Sequence, residues 1–181
     1  LFLEELKREI IKLGFLFKRM RIRKLSLNDS KNLQKLFLNE KNLKDTGMNV
    51  TKGKITSKFM KKWLTENIKQ YKIKKPTFVV YAISKRFNRI IGTIGIGNID
   101  YKSKSGSIGY WISKKYSGRG YCTKAIKRFI ERFLKKRDIK TLFAEVSNKN
   151  ISSYKVLKKN RFEIIKKSKE NLFLKKVLSN H

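Results

Sequence analysis

Between residues 106 and 146 the sequence runs strand, glycine-bearing turn, long amphipathic helix, strand. Gly106 to Ser113 reads as the first strand. From about Gly120 to Lys136 the apolar residues Ala125, Ile126, Phe129, Ile130, Phe133 and Leu134 keep the 3.6-residue period of a helix with one buried face. Thr141 to Val146 is a short buried strand. A strand–helix–strand crossover of this kind places its two strands parallel in one sheet. What precedes it is antiparallel. Phe78–Ile83 and Ile90–Ile99 are strands joined by a polar turn over Lys85–Arg89, and Tyr101–Ser105 turns into the crossover. The order predicts an α+β fold: a mixed, mostly antiparallel sheet with one parallel pair, flanked by helices.

The remaining elements fit around that sheet. Met20–Leu25 alternates basic and apolar residues as a strand. Asn28-Asp29-Ser30 is a capping cluster before Leu33, Leu36 and Phe37 on one helical face. Residues 39–55, with Gly47 and Gly53, read as a loop or broken helix. Thr56 or Ser57 caps a helix burying Phe59, Met60, Trp63, Leu64 and Ile68. Asn150–Lys159 is a helix, and Phe162–Ile165 and Leu172–Leu178 are closing strands joined around Ser168–Asn171. The spacing of Leu3, Leu6, Ile10 and Leu13 predicts an amphipathic helix over 2–13, ended near Gly14. We therefore divide the chain into a helical appendage over 1–18 and one domain over 19–181.

Two counts narrow the chemistry. One cysteine, Cys122, and one histidine, His181, exclude multi-thiolate zinc sites and His–Asp relays, so no metal is expected. Proton transfer is left to carboxylate, hydroxyl, amine or water. The formal net charge of +34 attracts polyanions such as RNA, ribosomes or a phosphate-rich cofactor; a compositional drift toward lysine produces the same number. No apolar run reaches the ~18 residues of a membrane span. Charges interrupt residues 1–17 where a signal peptide needs an apolar core, so a cytoplasmic protein is expected.

The segment that carries chemistry is Ser117-Gly118-Arg119-Gly120-Tyr121, between a strand and the long helix. Two glycines let the backbone approach a ligand at positive φ. The helix start adds unpaired N–H groups and the positive dipole end, which suits a pyrophosphate. A plain strand-to-helix turn has the same pattern. The run Gly92–Gly97 lies inside a strand, which is the wrong context for a dinucleotide fingerprint; glycines there mark close backbone approach.

Ile108-Gly109-Tyr110-Trp111-Ile112, then Tyr116–Ala125, then Asn150-Ile151-Ser152-Ser153 and Val156–Phe162, together resemble the GNAT superfamily of acetyl-CoA-dependent N-acetyltransferases. Within it the chain is similar to the ribosomal-protein N-terminal alanine acetyltransferases, over about residues 19–178. The resemblance implies a GNAT fold whose parallel strand pair is splayed. It also implies that the Ser117–Cys122 loop (Ser117, Gly118, Arg119, Gly120, Tyr121, Cys122) holds the CoA pyrophosphate through main-chain amides. Trp111 and Ile112 would pair with the pantetheine arm, Asn150 would contact the cofactor, and Ser153 would protonate the departing thiolate. Glu170, in the last hairpin, lies near the family's proposed glutamate, and Asp100 is a second candidate base.

Four positions depart from the family pattern. Ser117 replaces Gln or Arg, Cys122 replaces Gly or Ala, Ser107 stands where relatives often carry Glu, and Arg161 stands in place of Gly. Arg161 is strained if φ is positive there, unless Asn160 takes the turn. Cys122 is a small packing residue at a helix N-terminus, a location that lowers a thiol pKa. Tyr110 and Trp111 read as core or groove aromatics.

The implied function is acetyl transfer from acetyl-CoA to a primary amine, a protein N-terminal α-amine of ribosomal type. A ribosomal protein N-terminus is the expected partner, with ribosome or RNA association through the basic surface. Two alternatives stand beside it: a GNAT acting on an amino sugar or other small amine, and an inactive RNA- or ribosome-binding module on the same scaffold.

Overall fold

The computed structural model describes residues 3–6, 20–40, 50–85, 89–134 and 137–178. Residues 3–6 are helical; the rest of the expected helix over 2–13 lies outside the described residues, as do most of the expected loop over 39–55 and the tip of the turn over 85–89. The elements run β1 (Arg21–Lys24), α1 (Ser30–Leu38), α2 (Ser57–Gln70), β2 (Val79–Ser84), β3 (Ile90–Asp100), β4 (Ser105–Ile112), α3 (Tyr121–Phe129), β5 (Thr141–Ser147), α4 (Ile151–Lys159), β6 (Glu163–Lys167) and β7 (Asn171–Val177). They build one seven-stranded sheet in the order β1-β2-β3-β4-β5-β7-β6, antiparallel everywhere except at β4–β5. No helix among the described residues is long and apolar enough to cross a membrane.

Side-chain alternation gives each sheet face its own core. Tyr81, Ile94, Ile108, Leu142 and Leu174 bury one face under α3 and α4. There Tyr81 meets Phe129 and Phe133 at centroid distances of 5.7 and 4.4 Å. The long helix is not α-helical to its end: after Phe129 it widens into a π turn over Ile130–Leu134, which buries Ile130 and Leu134. On the other face α1 and α2 cover Ala82, Ile90 and Trp111, with Trp111 stacked on Phe37 at 5.0 Å.

Asp29 stands at the N-cap of α1, but the expected cap is corrected: its side chain makes no bond to the helix and turns back toward β1. Both its carboxylate oxygens take hydrogen bonds from Arg23 at 2.8 Å, and the Ser26 N–H donates to it as well. Burial alone would raise the Asp29 pKa, but these donors outweigh it and hold the carboxyl below its usual value. Gly92 and Gly95 answer to close approach: a Cβ would sit 2.0 Å from the Trp111 carbonyl oxygen or 2.5 Å from that of Val79.

The end of α4 settles the question at Arg161. Its φ is +62°, while Asn160 stays at −94°. Phe162 N–H donates to Leu157 O and Arg161 N–H to Lys158 O, the paired bonds of a Schellman cap with arginine at the left-handed position. The left-handed region costs a side-chain-bearing residue about 1–2 kcal/mol, offset in part by the extra freedom glycine has when unfolded. Arg161→Gly should therefore gain about 0.5–1 kcal/mol and raise Tm by roughly 2–3 °C in a thermal melt. An unchanged or lower Tm would show that arginine's own contacts offset the strain.

Candidate active site

β4 and β5 pair only at Ser105–Thr141, Gly106–Leu142 and Ser107–Phe143 and then part. The gap opens a cleft of about 850 Å³ through the sheet. The main chain of β4 beyond Ser107 has an open edge, and the register tells which groups it offers. Ser113 N–H donates to Ile91 O at 2.9 Å, so alternation commits Trp111, Gly109 and Ser107 to β3. The N–H and C=O groups of Tyr110 and Ile112 therefore face the gap. Ile112 is on the open edge as expected. Trp111 is corrected: β3 takes its main chain, and its ring is buried in the second core.

At the end of β4 the chain turns through Ser117 and Arg119 into α3. Gly118 and Gly120 have φ of +73° and +72°, and Gly120 is the N-cap, with no side chain capping the helix. Ser117, Gly118, Arg119 and Gly120 are exposed, Tyr121 is buried and Cys122 is half-buried. A Cβ on Gly118 would meet nothing within 4 Å. An accessible loop, left-handed glycines and an uncapped helix start fit a phosphate group. The expectation for Cys122 is reversed, because burial pushes its thiol up to about 12 and outweighs the helix N-terminus.

α4 brings two expected residues to the cleft wall. Asn150 caps the helix, its Oδ1 accepting from Ser153 N–H and Ser152 Oγ at 3.0 Å each, and its amide nitrogen is not used in the cap. Ser153 lines the cleft with its Oγ 2.9 Å from the Tyr110 hydroxyl.

The opposite wall was not foreseen. Alternation along β5 turns Leu142, Ala144 and Val146 to the core and Glu145 outward, onto the sheet face covered by α2. Glu145 lines the cleft there and accepts from Asn171 Nδ2 at 2.7 Å. Gly95, Gly97 and Gly109 form a floor without side chains, under Trp63, Glu66 and Asn67 of α2. Glu66 and Glu145 are the carboxylates lining the cleft among the described residues, and Glu66 is paired with Lys69 at 2.9 Å. Glu170 lies instead in the exposed turn between β6 and β7, outside the cleft lining, where its carbonyl accepts from Asn148 N–H. Asp100 is likewise outside, held by Lys102 N–H and Ser103 Oγ in the β3–β4 turn. The alternation of Thr141–Ser147 is the signal that carries Glu145; the family resemblance points instead to Glu170, beside its partner Asn171.

Residues 19–163 match the family model described as "Acetyltransferase (GNAT) domain". Among curated proteins the chain is 27% identical over 81 residues to an uncharacterized N-acetyltransferase p20 of Bacillus licheniformis, covering 45% of this chain and 46% of that relative, so it spans less than half of that protein. Among solved structures it superposes on the ribosomal-protein-S5-alanine acetyltransferase of Vibrio fischeri with a TM-score of 0.78 at 19% identity, over 88% of this chain and 93% of that one. The Microcin C7 self immunity acetyltransferase MccE, solved with acetyl-CoA and AMP, gives a TM-score of 0.75 at 17% identity, over 88% and 93%. At these identities the structural matches speak to the fold.

Proposed function

The chain belongs to the GNAT acetyltransferase family, and from that premise we propose that it transfers the acetyl group of acetyl-CoA to the N-terminal α-amine of a protein, of the ribosomal kind. The observation that carries this is the cleft itself, which reaches both faces of the sheet and has different chemistry on each.

On the face of α3 and α4, the Ser117–Cys122 loop would hold the pyrophosphate through main-chain amides and the α3 dipole. The free groups of Tyr110 and Ile112 on the β4 edge would take the pantetheine arm as an added strand would, with Asn150 contacting it from α4. When bound, acetyl-CoA supplies the activated acyl group. A β4 main-chain N–H polarises its carbonyl and stabilises the oxyanion. Ser153 stands on this side to stabilise the leaving sulfur.

On the other face the acceptor amine enters over the glycine floor, beside Glu145. An α-amine of pKa ~8 sheds its proton more readily than a lysine or polyamine amine above ~10. Glu145, directly or through one water, takes that proton as the N–C bond forms and the C–S bond breaks, its electron pair staying on sulfur. Amine and cofactor thus reach the cleft from opposite faces of the sheet, with no covalent enzyme intermediate.

The +34 charge favours the same acceptor, since it repels free polycations at long range and draws acidic or ribosome-borne ones. The test is thiol release from acetyl-CoA with three acceptor classes: ribosomal-protein amino-terminal peptides, a polyamine and an amino sugar. Turnover with the peptides, stronger for acidic than for neutral ones and weakened by salt, is expected. Turnover with the small amines alone would move the assignment to them. Salt-sensitive RNA binding without any acetyl-CoA affinity would instead mark an inactive binding module.

A further inference from the structure

We propose that Tyr110 is a positioning residue, whose phenol orients the Ser153 hydroxyl so that the two present a single hydrogen-bond donor to the sulfur leaving the acetyl group. This rests on the assignment of Ser153 to the sulfur side of the cleft.

The Tyr110 oxygen lies 2.9 Å from Ser153 Oγ and 3.1 Å from the Ser153 carbonyl oxygen, across the gap between β4 and α4. A phenol has one hydrogen to give, so two arrangements exist. In the first, Tyr110 donates to the carbonyl and Ser153 Oγ–H points back at the phenol, leaving no donor for a ligand. In the second, Tyr110 donates to Ser153 Oγ, and the serine hydrogen turns into the cleft. The two partners are nearly equidistant, so an anion in the cleft switches the pair to the second arrangement by a small rotation of two hydroxyls.

The pair is a donor and not a proton source. Burial raises the Tyr110 phenol well above its usual ~10, and a thiolate leaves with pKa ~8.5, so passing a proton to sulfur would strand a buried tyrosinate. The titratable group that faces the phenol is Cys122, whose thiol burial pushes up to about 12, so both groups stay neutral near pH 7. The electron pair of the broken C–S bond stays on sulfur, and the proton that later neutralises it is the one released by the amine.

This role has a readout apart from turnover. Affinity for free CoA, measured calorimetrically between about pH 7 and about pH 10, should rise through the thiol pKa of ~8.5 as the thiolate forms. Tyr110→Phe, which keeps the ring and its packing, should lose about tenfold of that rise while binding acetyl-CoA as before. Ser153→Ala should lose a similar amount, and the double variant no more than Ser153→Ala alone. The kcat should follow the same non-additive pattern, with Tm reporting that each variant is folded. A Tyr110→Phe effect equal at every pH, or one that adds in the double variant, would reduce Tyr110 to packing and overturn the proposal. So would a silent Tyr110→Phe beside an impaired Ser153→Ala, which leaves the sulfur-side role of Ser153 intact. Unimpaired turnover in Ser153→Ala would overturn that role and this proposal together.

Discussion

Glu145→Gln should lower kcat on an α-amine acceptor by about 100-fold or more, within the range of a positioned general base. Acetyl-CoA affinity should stay the same, because Glu145 stands on the proposed acceptor face and the proposed pyrophosphate loop opens on the other. Glutamine keeps the size of the side chain and can still meet Asn171, so the β5–β7 contact need not collapse. Raising the pH past ~8 should recover part of the lost rate, since a larger share of the acceptor amine is then free without help. Glu170→Gln is the matching control and should turn over normally, its carboxylate lying in an exposed turn. Steady-state kinetics on both variants at two pH values separates the assignments. Full activity in Glu145→Gln with loss in Glu170→Gln would return the base to the last hairpin.

The two carboxylates show where sequence was enough and where it was not. Periodicity found every strand of the sheet, because a half-buried strand writes its two faces into alternate residues: Leu142, Ala144 and Val146 inside, Phe143, Glu145 and Ser147 outside. The crossover over 106–146 then forced one parallel pair, and the structure has it. Periodicity does not say how far two strands stay together. The pairing stops at Ser107–Phe143, and that distance alone turns an outward residue of β5 into a cleft residue. The same limit applies to Trp111 and Tyr110. Both read as aromatics in one strand, but only the hydrogen-bond phase fixed at Ser113–Ile91 tells which main chain is free. The π turn at Ile130–Leu134 was hidden too, since its apolar residues satisfy a plain helical period almost as well. The placement of Asn150 and Ser153 side by side at the cleft wall, by contrast, was legible, because a cap and the residue three further on lie on one helix end whatever the sheet does.

Gly120→Val should cost the protein acetyl-CoA more than it costs the fold. The φ of +72° at the N-cap of α3 suits glycine, and a β-branched residue there loses about 1–2 kcal/mol, a fall in Tm of roughly 3–6 °C. The ligand loses more. In the proposed site the loop would bring main-chain N–H groups against phosphate oxygens, and a side chain at this position would hold them apart. Two charge-assisted hydrogen bonds, at about 1.5 kcal/mol each or more, amount to about 3 kcal/mol, or roughly 100-fold in affinity. Gly120→Asn separates the two causes, since asparagine tolerates the left-handed conformation but still fills the space. It should melt close to the parent protein and bind acetyl-CoA weakly. If it melts normally and binds with parental affinity, strain rather than obstruction explains the valine variant, and the phosphates sit elsewhere. The unobstructed space at Gly118 gives a second check on the same geometry. A methyl group there touches no protein atom, so any loss of affinity in Gly118→Ala beyond its own loss of stability measures the approach of the ligand to the loop.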